Sequence, residues 1–356
     1  MTLIIAEAGV NHNGSEELAK QLIDVAYEAG ADIVKFQTFK ANKLVTENAQ
    51  QASYQVQNTQ KKESQLDMLT RLELSYDAHH RLLAHCSSLG IEFLSTAFDE
   101  KSLNFLVKDI GVKRLKIPSG EITNAPLVLA HARTGLDIIV STGMACLSEI
   151  EEVLGVVAFG YLGWEGEPCP ESFSRAYTSE EGQAVLKKKV TILHCTTEYP
   201  APMDEINLRA MNSIGTAFDL PVGYSDHSEG IDIPIAAVAR DAKIIEKHYT
   251  LDKNMEGPDH KASLAPDELA AMVKAVRRVE AALGRSVKAP TKSETPNKLV
   301  ARKSLVANRK IEVGDRFTSN NLTVKRPGGG MSPFFYWSIL KTSATRSYLP
   351  GDLIDE

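Results

Sequence analysis

Residues 3–14 read LIIAEAGVNHNG, a β-branched apolar run that ends in polar residues. It passes into an amphipathic segment, 16–29, with Leu18, Leu22, Val25 and Ala29 on one face. The pattern predicts a strand followed by a helix, and it recurs. Strand-like runs are expected at 3–8, 33–38, 91–96, 114–118, 137–142, 190–196, 221–225 and 243–249, and a last amphipathic segment covers 266–283. Alternation of this kind implies a parallel sheet with right-handed crossovers, and eight units over about 280 residues is the size of a closed (β/α)8 barrel. An open doubly wound sheet is the rival α/β fold. It would place GxGxxG after its first strand, and Gly9-Val10-Asn11-His12-Asn13-Gly14 lacks that spacing, so the barrel is favoured.

Outward from the barrel, two connections exceed ordinary loop length. Residues 41–70 are polar and Gln-rich, and 160–189 carry Trp164, Cys169 and two prolines; both are expected to cover the barrel mouth. The barrel is assigned to 1–283 and a linker to 284–300, where Pro, Lys, Ser and Thr accumulate. A small C-terminal β-rich module, 301–356, follows, with turns at 313–315 and 326–330; its core is marginal alone, so it is expected to pack on its own barrel or a partner's. Gly328–Gly330 is read as a tight turn rather than a phosphate cradle, because GxxxxGK[ST] spacing is absent.

The bulk chemistry is that of an ordinary soluble globular protein: 356 residues, 43% apolar and 24% charged, with a formal charge of -6. That balance gives no electrostatic reason to expect nucleic acid as a partner. No apolar run is long enough to span a bilayer, and no basic n-region precedes Leu3, so a cytoplasmic location is expected. Cys86, Cys146, Cys169 and Cys195 are too few and too widely spaced for a disulfide framework, and are expected as reduced thiols.

In a barrel the C-terminal strand ends line the active site, and here they are unusually polar. Successive ends carry Glu7, Asn11 and His12; Lys35 and Gln37; Thr96; Lys116, Ser119 and Glu121; Ser141 and Thr142; His194 to Tyr199; Ser225 to His227; and Glu246 to His248, with Asp259 and His260 just beyond. Period-2 alternation puts Lys35 with Gln37, and Glu246 with His248, on common faces that can point inward. Charges inside a barrel are costly unless paired or bound to a ligand, so several together point to a site. Lys35 and Lys116 can neutralise a small multiply charged anion, such as a phosphorylated carboxylate, with Ser119, Thr96 and Ser225 donating hydrogen bonds; a structural salt bridge to Glu7 or Glu121 is the alternative. His227 and His248 end adjacent strands and can share one divalent cation, with Asp226, Glu246 and Asp259 as candidate third ligands or orienting groups. Cys195 is expected to face away from the interior if His194 faces in. His79, His80, His85 and His131 fall on helical segments and are expected at the surface.

Eight strings then stand in order: IAEAGVNHNG (5–14), VKFQT (34–38), LKIPSGE (115–121), STGM (141–144), LHCT (193–196), GYSDH (223–227), GPD (257–259) and KRPG (325–328). Together they resemble the sialic acid synthase family over essentially the whole chain. The resemblance implies a TIM barrel followed by an antifreeze-like (SAF) domain, in a domain-swapped homodimer whose small domains cap the partner's barrel. It implies condensation of phosphoenolpyruvate with an N-acetylmannosamine-type aldehyde and water, giving a nine-carbon 2-keto acid and phosphate. His227 and His248 match the family's ligands for Mn²⁺ or Mg²⁺. Lys35, Thr96, Lys116, Ser119 and Ser225 match its phosphoenolpyruvate contacts, and Glu7, Gln37, Glu121, Tyr199, Asp259 and Arg326 its sugar contacts, Arg326 reaching across the dimer. Glu7 or Glu121 is the candidate for handling water or hydroxyl protons, beside Lys116 as a catalytic cation. Thr197 stands where sialic-acid-making members carry Asn; as a substrate-binding position it leaves open a 2,4-diacetamido-2,4,6-trideoxy sugar and a legionaminic-type product.

Two other classes fit the same residues less well. A Schiff-base aldolase using Lys35 or Lys116 needs an unpaired, desolvated amine, and acidic neighbours argue against one. A non-catalytic carbohydrate-binding barrel would not need so charged a rim.

Overall fold

The computed structural model describes residues 1–59 and 61–355, which divide into two compact units, Met1–Gly284 and Arg285–Glu356. The first is the predicted barrel. Its strands are β1 (Leu3–Gly9), β2 (Ile33–Thr38), β3 (Glu92–Ala97), β4 (Arg114–Ile117), β5 (Asp137–Ser141), β6 (Val190–Cys195), β7 (Val222–Asp226) and β8 (Ile244–His248). All pair in parallel in the order β3-β2-β1-β8-β7-β6-β5-β4, and β3 and β4 close the ring as neighbours. Crossover helices begin where side chains satisfy the first orphan amides: Ser15 accepts from the Leu18 amide ahead of Glu16–Glu28, and Asp99 from that of Ser102 ahead of Glu100–Phe105. The helix Tyr76–Leu89 stops at Gly90, whose φ of 85° is a left-handed cap that a side chain would strain.

The interior of the barrel is layered. Ile5, Ile33, Leu94, Ile139, Leu193 and Ile244 form a dry plug, and alternate residues such as Ile4, Val34, Ile138 and Ile192 pack outward against the helices. Gly223 belongs to the plug level, where a Cβ would lie 2.5 Å from the Ile244 carbonyl oxygen. One step further along each strand the inward position turns polar. The plug therefore fixes which side chains face the cavity above it.

That parity corrects one expectation. Leu193 faces in, so Cys195, two residues on, faces in as well; His194 points outward, its Nε2 on the Ile206 carbonyl and its ring beside Tyr224. Two histidines expected at the surface are also buried. His79 bonds Thr38 Oγ1 through Nε2 and the Ser75 carbonyl through Nδ1, and His131 donates from Nδ1 to the Leu127 carbonyl. Both lie on the core-facing side of amphipathic helices and satisfy at least one ring nitrogen locally, which is what lets a polar residue go inside.

The two long connections differ. Residues 41–70 form short helices, Ala41–Leu44, Ser53–Thr59 and the start of Gln65–Leu72, and send Tyr54, Met68 and Leu69 to the mouth cavity. Residues 160–189 do not cover the mouth. They form helices Pro170–Thr178 and Glu180–Lys189, which pack along Leu147–Leu162 on the barrel's outside and lead into the opposite end of β6. Gly155 makes that approach possible: a Cβ there would touch the Phe173 carbonyl oxygen at 3.0 Å. Among the described residues no helix is long and apolar enough to cross a membrane.

The second unit has its own core of Leu305, Ile311, Phe317, Tyr348 and Ile354 around an antiparallel pair, β9 (Ser304–Ala307) with β10 (Leu322–Lys325). The segment read as pure linker carries a helix, Glu294–Ala301. Gly328 donates its amide to the Leu299 carbonyl and Gly330 its amide to Ser304 Oγ, so the glycine run is a packed turn.

Candidate active site

The layer above the plug is a cluster of charges on neighbouring strands. Register places Glu7 beside Lys35 on one side and beside His248 on the other, and Ser225 beside Glu246. Lys35 Nζ lies 2.7 Å from Glu7 Oε2 and 3.7 Å from Glu246 Oε2, and donates to Thr96 Oγ1 at 3.3 Å. Lys116 Nζ meets Glu246 Oε1 at 3.1 Å, and Ser225 Oγ donates to the same oxygen at 3.0 Å. Two ammonium groups and two carboxylates thus close on each other at a depth where none is more than 5% exposed.

Burial sets the electrostatics. It raises the Glu7 carboxyl to about 7, against the lowering pull of Lys35. It pulls the Lys35 ammonium down, but Glu246 and Glu7 outweigh it and hold that group above its ordinary range. Lys116 has only one close carboxylate and Lys35 for a neighbour, so burial prevails and its ammonium is lowered. Glu246 faces both lysines, which overcome burial and hold it well below the usual carboxylate range. A compact anion entering here would meet two cations already held in place, an arrangement suited to binding phosphate and carboxylate together.

Beside the lysines stand the two imidazoles, their ring centroids 5.6 Å apart. His227 Nδ1 bonds the Thr196 carbonyl at 2.6 Å and its Nε2 the Tyr199 hydroxyl at 3.1 Å. His248 Nδ1 is buried without a partner, and burial with the nearby His227 pushes the ring well below its ordinary value, leaving it neutral. A partnerless neutral imidazole nitrogen beside a second imidazole fits one divalent cation with open positions left for water or substrate. The expected third ligands do not all fit. Asp226 follows the outward parity of β7 and is consumed in a fully buried ion pair with Lys247 of β8, at 2.5 Å. Glu246 is occupied by the lysines. Asp259 stays at the cavity wall, its carboxyl raised by burial to about 6. Among the described residues no three His, Cys, Asp or Glu side chains converge as a cage.

One cavity of about 220 Å³ gathers Glu7, Lys35, Gln37, Thr96, Lys116, Ser119, Thr197, Tyr199, Ser225, His227, His248 and Asp259. Glu121 is not among its lining residues, and Arg326 belongs to the other unit. Glu121 lies on the turn Ser119–Glu121, where its carboxylate accepts from Asn124 Nδ2 at 2.6 Å; Arg326 is exposed. Two contributors, Tyr54 and Gly143, are not singled out in the sequence, and a third has a larger part than the sequence suggests. Glu246, read there as an inward-facing candidate ligand or orienting group, is the hub that pairs both lysines. Tyr54 comes from within the Gln-rich connection, where no periodicity marks it. Gly143 has no side chain to announce it, yet its amide donates to Ser119 Oγ at 2.9 Å, and a Cβ there would collide with Thr197 Oγ1 at 2.1 Å and Ser119 Oγ at 2.8 Å.

The chain is similar to known proteins. The model of the NeuB family matches residues 22–288. The N,N'-diacetyllegionaminic acid synthase of Campylobacter jejuni is 48% identical over 100% of this chain and 99% of its own length. The synthase of the same name from Legionella pneumophila is 44% identical over 93% of this chain and 86% of its own. Among solved structures, an N-acetylneuraminic acid synthetase from Leptospira borgpetersenii superposes with a TM-score of 0.67 at 34% identity, covering 83% of this chain and 90% of that one.

Proposed function

The chain belongs to the NeuB family, and from that premise we propose that it is a metal-dependent synthase that condenses phosphoenolpyruvate with an N-acetylmannosamine-type amino sugar and water. The products are a nine-carbon 2-keto sugar acid and inorganic phosphate. The amino sugar favoured is a 2,4-diacetamido-2,4,6-trideoxy hexose, because the two relatives named above are N,N'-diacetyllegionaminic acid synthases. The observation that carries the reading is the pair of buried ammonium groups, Lys35 and Lys116, in one cavity with two neighbouring imidazoles.

In this reading Lys35 and Lys116 hold the carboxylate and phosphate of phosphoenolpyruvate, assisted by Thr96, Ser119 and Ser225. His227 and His248 would hold Mn²⁺ or Mg²⁺, which supplies Lewis-acid polarisation of the open-chain aldehyde. Gln37, Thr197, Tyr199 and Asp259 orient the sugar's hydroxyl and amide groups. C3 of phosphoenolpyruvate bonds to the aldehyde carbon as the carbonyl π pair moves to its oxygen, which takes up a proton, and Glu7 and Glu246 would stabilise the positive charge developing at C2. Water adds at C2, and the C2–O bond to phosphate breaks as the new C2 hydroxyl becomes the ketone; of the two protons that water gives up, one ends on the sugar's new hydroxyl and one on the departing phosphate. Glu7, lifted to about 7 by burial, is suited to take a proton that the water releases.

Residues 301–356 are assigned as an antifreeze-like domain that brings Arg326 to the barrel of a partner subunit in a homodimer. Mixing inactive Arg326→Ala protomers with inactive His248→Ala protomers would then restore activity, since one mixed site is complete; proven subunit exchange without recovery counts against the assignment. For the reaction itself, phosphate release is expected to stop in excess EDTA and return with Mn²⁺ or Mg²⁺, while full turnover in EDTA would overturn metal dependence. A Schiff-base mechanism would share one feature, the lowered Lys116 ammonium. Glu246 at 3.1 Å opposes it, and borohydride with pyruvate is expected to trap no adduct.

A further inference from the structure

Beyond the strand ends the lining of the cavity changes character. Val10, Tyr54, Met68, Leu69, Leu72 and Phe98, which lie beyond the strand ends, add mostly carbon to its lining. Four of the six come from a single stretch, 54–72, whose helix Ser53–Thr59 is tied to the loop that follows β8. Asn58 Nδ2 donates to the Pro258 carbonyl at 2.6 Å and Lys61 pairs with Glu256, so the stretch is fastened to the loop that carries Asp259. The Tyr54 ring lies 5.0 Å from that of Tyr199 at a 30° tilt, and Tyr199 lies 4.1 Å from the ring of His227. Tyr199 is thereby interposed between Tyr54 and the imidazoles.

We propose that Tyr54 sets which sugar the site accepts, by offering an aromatic face to the acetyl and deoxy carbon groups at the end of the sugar remote from its aldehyde. This rests on the function proposed above, which puts the aldehyde near His227 and His248. The Tyr54 hydroxyl has a local partner, accepting from Gln55 Nε2 at 3.4 Å. Its ring is the part of the side chain that stacks towards Tyr199 and the imidazoles, and it is this surface that the proposal uses. A sugar with hydroxyl groups at C4 and C6 would turn them towards the aromatic ring in place of water, which is unfavourable for each hydroxyl that gives up a hydrogen bond there. Acetamido and C6 methyl groups would instead bury apolar surface against the ring, and a difference of this size in a hydrophobic pocket typically shifts selectivity ten-fold or more.

The test compares kcat/KM for 2,4-diacetamido-2,4,6-trideoxymannose and for N-acetylmannosamine, each with phosphoenolpyruvate, in the full-length wild type, Tyr54→Phe and Tyr54→Ala. Tyr54→Phe is expected to keep the wild-type ratio within two-fold. Tyr54→Ala is expected to lower the ratio at least ten-fold, chiefly by raising KM for the diacetamido sugar. Should Tyr54→Ala lower the urea midpoint, Tyr54→Leu, which keeps volume but not aromaticity, carries the same expectation. An unchanged ratio in both truncations overturns the proposal, as does a loss in Tyr54→Phe equal to that in Tyr54→Ala, which would assign selectivity to the hydroxyl. A wild type that releases phosphate with neither sugar overturns the underlying function, and a result of that kind is distinct from altered selectivity.

Discussion

At Gly143 the amide reaches Ser119 Oγ because nothing projects from its Cα; an added methyl would meet Thr197, Ser119 and Cys195 at once, at 2.1, 2.8 and 3.0 Å. Gly143→Ala must displace the Ser119 hydroxyl, proposed to hold phosphoenolpyruvate, together with the Thr197 hydroxyl proposed to face the sugar. The expected outcome is a rise of ten-fold or more in KM for phosphoenolpyruvate with the urea midpoint changed little, measured by steady-state phosphate release; an unaltered KM would show that those hydroxyls are not needed where they stand. Single residues were legible in the sequence when they broke the apolar rule of a strand, as Glu7, Lys35, Lys116 and His248 do. Gly143 and Tyr54 were not: a glycine's contribution is the space it leaves, and the ring contact that places Tyr54, with Tyr199, is long-range. Glu246 was visible beside His248, but that it pairs two lysines from other strands depends on register, which one strand's sequence does not contain.

At the scale of elements, inward and outward faces alternate, and the ends of β7 and β8 are joined on both. Ser225, His227, Glu246 and His248 face the cavity; Asp226 and Lys247 face outward, pair at 2.5 Å with neither exposed, and Asp226 also accepts from Ser228. Removing one member leaves a buried charge unpaired, which typically costs about 3–5 kcal/mol, whereas an apolar pair of similar volume is tolerated. Lys247→Met should therefore lower the urea midpoint markedly, and Asp226→Leu/Lys247→Met should recover more than half of the loss. A double variant as unstable as the single one would mean that the pair stabilises through something other than mutual neutralisation. Strand positions and barrel closure were legible because each strand is an apolar run bounded by polar residues. The parity of β6 was not, since His194 and Cys195 are equally plausible inward residues until Leu193 is seen in the plug. The helices of 160–189 were also hidden, because their apolar face is completed only by the crossover helix beneath them.

For the whole molecule, several histidines are buried in the neutral form. Burial lowers His131, and it takes His12 to about 3 and His260 to about 4. Below their ordinary value of 6.5 the unfolded chain takes up protons that the folded chain refuses, so each such group removes stability as pH falls through 6.5, by about 1.4 kcal/mol per pH unit. Glu7 and Asp259, raised to about 7 and about 6, act in the opposite sense, since the folded chain protonates them first. The histidines outnumber them, and the urea midpoint is expected to fall between pH 7.5 and 5.5. His131→Leu, far from the cavity, should narrow that fall by about 1 kcal/mol; an equal fall in the variant would mean that His131 takes up its proton in the folded state as readily as in the unfolded one.

The most direct measurement of the proposed reaction is mass spectrometry of what the enzyme forms from phosphoenolpyruvate with each candidate amino sugar and a divalent metal. The prediction is a nine-carbon 2-keto acid carrying two acetamido groups, formed from the 2,4-diacetamido-trideoxy sugar with one phosphate released per molecule. Phosphoenolpyruvate recovered intact with every amino sugar, although the protein is folded and metal-loaded, would contradict it.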